Sequence, residues 1–177
     1  MGLNVVTVCP ALPIGPGDIG PTPTGRLVTE AFKMPFLLAL DSGPSCYIDV
    51  RDCAMGHVLA LEKGRTGESY ILGGENYDHY EVLSRLVRLL GLPQKIVPVS
   101  LTALKPFTHV ATWLANHVTK KPPFFTPVEV DITRKGLKCD ASKARTELGL
   151  TVRPIEDSLR DAVQWFADNG YIEVKHG

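Results

Sequence analysis

The chain has 177 residues, 44% of them hydrophobic and 21% charged, a composition typical of a globular protein with a buried core. Its 19 lysine and arginine residues balance its 19 aspartate and glutamate residues, and this lack of basic excess argues against a nucleic-acid partner. No apolar stretch approaches the roughly 20 residues that a membrane-spanning helix needs, so we expect no membrane span.

The first predicted strand is LNVVTV, residues 3–8, whose apolar residues fall on both faces and suit burial between two layers. Residues 10–24 are rich in proline and glycine and predict a loop. Thr24 is the predicted cap of a short helix that ends at Pro35. Its predicted inward residues are Leu27, Val28 and Ala31.

The segments PFLLAL and CYIDV predict two strands around the turn DSGPS, and ESYILGG predicts a third. Between the second and third, Asp52 is the predicted cap of a helix that ends at Gly64. The predicted inward residues of that helix are Ala54, Val58 and Leu61.

The segment DHYEVLSRLVRLLG has the clearest helical pattern, with Asp78 and Glu81 at capping-box spacing and Gly91 at its end. KIVPV predicts a strand, and a helical pattern interrupted at Pro106 follows it. Residues 119–138 predict irregular structure.

Two helices are predicted near the end: DASKARTELG and the amphipathic PIEDSLRDAVQWFADNG. The inward face of the second is predicted at Leu159, Ala162, Val163 and Phe166. The alternation of strands and helices along the chain predicts an α/β or α+β class.

Gly15, Gly17 and Gly20 match the G-x-G-x-x-G pattern of dinucleotide-binding turns. Such a turn needs a strand directly before it and a helix whose first amides receive a pyrophosphate. Here CPALPI separates the predicted strand from Gly15, and prolines follow Gly20. We therefore predict no pyrophosphate site, and we interpret Asp41 as a turn residue rather than a ribose ligand.

Tyr171 and Lys175 have the Y-x-x-x-K spacing that on a helix lets lysine lower the pKa of a catalytic phenol. Gly170 ends the preceding helix, and Ile172 and Val174 favour extended structure. We therefore predict a tail strand or a frayed terminus and no catalytic pair.

The order of several segments carries a resemblance. GLNVVTVCPALPIGPGD, YIDVRDCAMGHVLALEKG, GESYILGGEN, CDASKARTELGL and PIEDSLRDAVQWF follow one another as in the C-terminal half of extended short-chain dehydrogenase/reductases. This NAD-dependent epimerase/dehydratase family includes dihydroflavonol-reductase-like enzymes, and PTPTGR with ESYILGGEN resembles most closely the hopanoid-associated sugar epimerases. The resemblance covers nearly the whole chain.

The resemblance implies the C-terminal part of a doubly wound Rossmann-type sheet plus a small, mainly helical substrate-binding region, without the N-terminal cofactor half. Residues 1–75 would hold the last Rossmann strands with the substrate loop and helix, and 76–177 the mainly helical C-terminal substrate region, in a single unit. The family's glycine-rich turn and its catalytic Ser/Thr, Tyr and Lys precede the strand at which this chain begins. We therefore expect no catalytic residue here.

The resemblance also implies two groups of binding residues. Pro10, Ala11, Leu12 and Pro13 would lie along the nicotinamide, or else serve only as the exit from a strand. Thr22, Thr24, Gly25 and Arg26 would face the substrate, or else Thr24 only caps a helix and Arg26 is solvated. Pro13 has no amide to donate.

Other positions bear on the substrate. Ser45 and Cys46 stand near the place where nucleotide-sugar epimerases of this type often have an arginine that grips a diphosphate, which favours a smaller or lipid-like substrate. Arg51 and Asp52 form a family-like pair that we interpret as structural, and Tyr47 is predicted to lie in the core. The aromatic residues that could line a pocket or simply pack are Trp113, Phe124 and Phe125.

These observations predict the C-terminal portion of an NAD(P)-dependent oxidoreductase or epimerase acting on a hydroxyl- or keto-bearing substrate, sugar-like or dihydroflavonol-like. We expect NAD or NADP in the complete enzyme, and neither activity nor tight cofactor binding in this chain alone. The alternative is a non-catalytic ligand-binding or interaction module. Expected partners are a small-molecule substrate, and either a missing N-terminal half or a second copy paired through the exposed strand edge. Four cysteines without C-x-x-C spacing and histidines without ligand spacing predict reduced thiols, no metal and a cytoplasmic location.

Overall fold

The computed structural model describes residues 2–103 and 127–173. The strands are β1 (Thr7–Pro10), β2 (Leu12–Ile14), β3 (Phe36–Leu40), β4 (Ser45–Asp49), β5 (Ser69–Leu72), β6 (Glu75–Tyr77) and β7 (Lys95–Val99). The helices are α1 (Pro23–Lys33), α2 (Val50–Lys63), α3 (His79–Leu90), α4 (Pro127–Lys135) and α5 (Ile155–Asp168), with a π-helical turn at Ala144–Leu148.

The strands pair mainly in parallel. β1 pairs with β5, β2 with β4 and β3 with β7, all parallel, while β6 adds an antiparallel edge to β4. Parallel neighbours need crossover connections, and here helices supply much of them, as in doubly wound α/β proteins. The predicted α/β class is confirmed.

Two buried clusters hold the elements together. One joins α1, α3 and α5 to β2, β3 and β4, and it contains the predicted inward residues of α5. The other joins α2 and β5 to the π-helical turn. Burial of large side chains such as Phe166 and Leu159, both fully buried, contributes about 1.5–3 kcal/mol each.

The capping box of α3 forms as predicted. The Glu81 N–H donates to Asp78 Oδ1 at 2.8 Å, and the Asp78 N–H donates to Glu81 Oε2 at 3.0 Å. Gly91 follows the helix with φ +60°, a left-handed conformation that glycine adopts without a steric penalty.

Two predicted caps are wrong. α1 is capped by Thr22, not Thr24, and α2 is capped by Asp49, not Asp52. The Arg51 N–H donates to Asp49 Oδ1 at 2.8 Å, because the chain leaves β4 at Asp49 and turns into the helix there. Asp52 lies inside the first turn of α2.

The predicted inward face of α2 is also wrong. Leu61 is 87% exposed and Val58 47%, whereas Cys53, Gly56 and Ala60 are buried. A Cβ on Gly56 would lie 2.8 Å from Leu72 Cδ2, so this glycine lets the helix approach β5 closely. Because α2 approaches β5 along the Gly56 side, the apolar residues Met55, Val58 and Leu61 face outward.

Three further expectations need correction. The loop expected at 10–24 contains β2, and the irregular segment expected at 119–138 contains α4. The first strand begins at Thr7 rather than residue 3, and it is largely exposed rather than buried between layers, since β5 is its sheet neighbour in the described part of the chain. The predicted break at Pro106 and the aromatic residues Trp113, Phe124 and Phe125 lie outside the described residues.

Candidate functional site

A cavity of about 330 Å³ opens where β2 leads into α1. Its wall consists of β2, the loop over residues 15–18 and the first turn of α1, and Val50 of α2 and Ala162 of α5 complete it. Parallel pairing with β4, in the register Leu12↔Tyr47 and Ile14↔Asp49, holds β2 in place. Three helices and a paired strand therefore position this cavity.

The predicted residues Leu12, Pro13, Thr22, Thr24 and Gly25 all line the cavity. The Thr24 hydroxyl donates to the Pro13 carbonyl at 2.7 Å and ties α1 to β2. The two groups of residues that the resemblance separated into a cofactor side and a substrate side therefore meet at one cavity.

The remaining predicted residues lie elsewhere. Pro10 ends β1, and the Ala11 N–H donates to the Leu72 carbonyl at 2.9 Å. Arg26 is exposed and directs its Nε to the Pro21 carbonyl at 3.0 Å.

Asp18 is the residue of this site that sequence reasoning missed. Its Oδ2 accepts the Thr22 hydroxyl at 2.8 Å and the Thr22 N–H at 2.9 Å. A Cβ on Gly25 would lie 2.0 Å from Asp18 Oδ2 and 3.0 Å from Phe166 Cζ, so only glycine leaves room for the carboxylate over the first turn of α1. An aspartate four residues before a Thr-Pro helix start is the signal that could have found it.

The G-x-G-x-x-G pattern lies closer to a strand than predicted. β2 ends at Ile14, directly before Gly15, so the expected gap between strand and glycine is wrong. Gly15 and Gly17 adopt φ +148° and +93°, where glycine is favoured. The helix begins only at Pro23, and Asp18 already covers its N-terminus. The pattern therefore lacks the free helix N-terminus that a pyrophosphate-binding turn presents directly after its glycines.

Asp41 and Tyr171, for which we predicted no binding or catalytic role, both form hydrogen bonds within the protein. Asp41 accepts the Leu101 N–H at 2.6 Å and the Ser100 hydroxyl at 2.9 Å. The Tyr171 hydroxyl donates to the Ile19 carbonyl and anchors the loop below the cavity. Lys175 lies outside the described residues.

A cluster of charged residues lies behind the cavity at the start of α2. Asp49 has a fully buried side chain, pairs with Arg51 at 2.8 Å and lies 3.7 Å from Arg153. Arg153 pairs with Asp52 at 2.7 Å, and Arg51 with Asp161 at 2.7 Å. Burial alone would raise the pKa of Asp49, but hydrogen bonds from Arg51 and the charge of Arg153 lower it overall.

This cluster agrees with the structural interpretation of Arg51 and Asp52. Tyr47 lies beside it in the core as predicted, only 8% exposed, and burial raises its pKa to about 12. The side chain of Tyr47 packs in the buried cluster that joins α1, α3 and α5 to β2, β3 and β4.

The described part of the chain contains no group of three or more potential metal ligands. Among the same residues, no helix is long and apolar enough to cross a bilayer. The four cysteines carry free thiols, and burial raises the pKa of Cys46 to about 12.

No family model matches the chain. A putative dihydroflavonol 4-reductase from Synechocystis is 36% identical in an alignment of 179 positions, which covers 98% of this chain and 51% of the relative. A crystal structure of a nucleoside-diphosphate-sugar epimerase from Pseudomonas aeruginosa matches with TM-score 0.75 and 33% identity, over 97% of this chain and 51% of the other. The homologues and structural neighbours of the chain are thus NAD-dependent epimerase/dehydratase and dihydroflavonol-reductase-like proteins.

This epimerase/dehydratase-like chain spans about half the length of the curated relatives it matches. It corresponds to the C-terminal half of their Rossmann-like fold, which confirms the family resemblance. A UDP-glucuronic acid 4-epimerase from Bacillus cereus, solved with UDP-glucuronic acid and NAD, matches with TM-score 0.65 over 94% of this chain and 46% of the other. At 18% identity, that likeness shows the fold alone.

Proposed function

We propose that the chain is the substrate-side portion of an NAD(P)-dependent oxidoreductase or epimerase that acts on a hydroxyl- or keto-bearing substrate. The observation that carries the proposal is the cavity between β2 and α1, in a chain 36% identical to half of a putative dihydroflavonol 4-reductase. We propose that the complete enzyme uses NAD or NADP and that this chain alone binds neither tightly.

The residues present fit one end of such a cofactor. Leu12 and Pro13 provide an apolar wall that would exclude water from the face of a nicotinamide, and Pro10 and Ala11 lead the chain to that wall. A nicotinamide bound there would supply the hydride donor or acceptor. The phosphate end does not fit, because Asp18 covers the N-terminus of α1.

The substrate would contact the opposite wall. Thr22, Thr24 and Gly25 form it, and the Thr24–Pro13 hydrogen bond fixes its distance from β2. Arg26, exposed beside this wall, is proposed as a further contact at the rim.

The proposal also concerns how the other half would dock. Met55, Val58 and Leu61 form an exposed apolar stripe on α2, and β1 has β5 as its described sheet neighbour. Exposed apolar stripes and strand edges are typical interaction surfaces. We propose that a preceding half of the same fold covers them, with pairing of two copies as the alternative.

A chimera tests the proposal. The corresponding half of the Synechocystis relative is replaced by this chain, and NADPH oxidation is followed at 340 nm with a dihydroflavonol and with simpler ketones. We expect turnover by the chimera and none by the isolated chain. Leu12→Lys in the cavity should abolish turnover, whereas Leu137→Lys, at a residue 54% exposed, serves as the matched control. A folded chimera that binds NADPH without turning over any ketone would contradict the proposal.

The second candidate is a non-catalytic ligand-binding module, favoured by the two buried clusters within the described residues. It predicts that the isolated chain unfolds cooperatively and binds a ligand without turnover. Aggregation of the isolated chain on purification would contradict it. A cytoplasmic location is part of both proposals and rests on the free thiols.

A further inference from the structure

The cavity's wall is mainly apolar and carries no positive charge among the described residues that line it. The guanidinium of Arg26 lies outside the wall and directs its Nε to the Pro21 carbonyl at 3.0 Å. Its polar side chains are Asp18, Thr22 and Thr24. Phosphate sites in proteins are usually built from arginine, lysine or free amides at a helix N-terminus. The apolar side chains that line the cavity include Leu12, Pro13, Ile14, Pro16, Val50 and Ala162.

Two helices begin at the cavity, and a carboxylate already caps each of them. Asp49 accepts the Arg51 N–H at 2.8 Å at the start of α2, and Asp18 covers the start of α1. The amide and the hydroxyl of Thr22 both donate to the carboxylate of Asp18, at 2.9 and 2.8 Å. The Gly25 amide is directed at the Thr22 hydroxyl oxygen at 3.5 Å. An anionic ligand at this end would have to displace Asp18 or lie beside a like charge, and both are unfavourable.

The groups at the Thr22–Thr24 end of the cavity can accept hydrogen bonds from a ligand but have no free proton to donate. The Thr22 hydroxyl proton is committed to Asp18 and the Thr24 hydroxyl proton to the Pro13 carbonyl. Both hydroxyl oxygens keep lone pairs, and the carboxylate adds more. A ligand hydroxyl can donate to these atoms, whereas an ionised phosphate has only acceptors to offer them.

We propose that Asp18 makes the Thr22–Thr24 end of this cavity selective for an uncharged substrate with an apolar body and a hydroxyl group, and that it excludes substrates that would place a phosphate there. The inference rests on the proposed function, because it concerns the same cavity. It narrows the substrate class from hydroxyl- or keto-bearing compounds in general to uncharged ones that place no phosphate at this end.

The test uses the full chain and a matched pair of probes, 2-naphthol and 2-naphthyl phosphate, with binding followed by the chemical shifts of the Leu12, Thr22 and Gly25 amides. We expect naphthol to bind at least tenfold more tightly at low salt. Asp18→Asn should reduce the ratio of the two affinities, naphthol over naphthyl phosphate, at least threefold, because naphthyl phosphate binds more tightly once the carboxylate is gone. Glu30→Gln, which removes a charge from the exposed face of α1, should leave it unchanged.

Salt provides a measurement that does not depend on a variant's folding. In the unchanged chain, the preference for naphthol over naphthyl phosphate should decrease between about 20 and 300 mM NaCl, because salt screens the repulsion between Asp18 and the phosphate. Equal or tighter binding of naphthyl phosphate would overturn the inference, as would an unchanged ratio in a folded Asp18→Asn variant.

Failure of this inference and failure of the proposed function are distinguishable. If neither probe binds at 5 mM, the cavity is no ligand site, and both the inference and the proposed substrate wall fall. If the phosphate binds more tightly, only the charge selectivity falls, and turnover by the chimera still decides the proposed function.

Discussion

Replacing Asp49 by alanine or asparagine separates the two tasks that this buried carboxylate performs. It caps α2 through the Arg51 N–H, and it neutralises Arg51 and Arg153. Asparagine can keep the cap, because its side-chain oxygen accepts the same N–H, but it removes the charge. Alanine removes both.

The magnitudes follow from burial. Loss of an N-cap costs about 1 kcal/mol. Breaking a fully buried ion pair costs about 3–5 kcal/mol, but here the two arginine side chains are 39% and 34% exposed and keep Asp161 and Asp52 as partners, so about 2 kcal/mol is expected. We therefore expect losses of about 2 kcal/mol for Asp49→Asn and about 3 kcal/mol for Asp49→Ala.

The assay is urea unfolding of the full chain, monitored by circular dichroism at several pH values. The folded pKa of Asp49 is lowered, so its contribution is fully present above its unfolded pKa, near 4, and is lost as the pH falls through the folded value. The difference between the unchanged chain and Asp49→Asn should therefore be largest above pH 5 and shrink in acid.

Asp157→Asn is the matched control, since its pair with Arg160 is exposed on both sides and should change stability by less than about 0.5 kcal/mol. The assigned role of the buried charge is refuted if Asp49→Asn lowers the free energy of unfolding no more than Asp157→Asn does. It is also refuted if the loss caused by Asp49→Asn does not decrease below pH 4.

Three further outcomes are expected. Leu159→Ala should cost about 2–5 kcal/mol and Leu61→Ala less than about 0.5 kcal/mol in urea unfolding, because the first side chain is fully buried and the second 87% exposed; equal losses would contradict the packing of α2. Gly25→Ala should cost about 1–3 kcal/mol, because its Cβ would meet Asp18 and Phe166; an unchanged melting temperature would mean that the loop yields freely. Burial lowers the pKa of His79, whose Nδ1 accepts the Leu40 N–H at 3.0 Å, so its contribution is present above pH 6.5 and is lost in acid. The melting temperature should fall less between pH 7 and 5 in His79→Asn, and an identical fall would contradict this assignment.

The sequence was a good guide wherever the decisive interaction is local. The capping box of α3 joins residues three apart, and the inward face of α5 follows from helical spacing. The parallel strands β3, β4, β5 and β7 are apolar runs between turn residues, and they form where the pattern predicts them. The order of these segments was also enough to predict the family.

The sequence predicted the residue type that caps α1 and α2, a threonine and an aspartate, but not which threonine or aspartate. Thr22 and Thr24, or Asp49 and Asp52, are equally able to accept an amide hydrogen bond. Pairing of β4 with β2 decides where the chain turns into α2, and Asp18 together with Pro13 decides where α1 begins. The competing residue then takes another partner, as Asp52 does with Arg153.

By itself, the sequence determined the α/β class and most of the helix and strand types, because these depend on spacing between near neighbours, and the order of its segments carried the family resemblance. Only the tertiary structure brought Val50 and Ala162 to the wall beside Leu12, and only it turned Leu61 outward. Such contacts join residues far apart in the chain, and they depend on how closely elements approach one another. The cavity and the position of Asp18 over the first turn of α1 belong to this second kind.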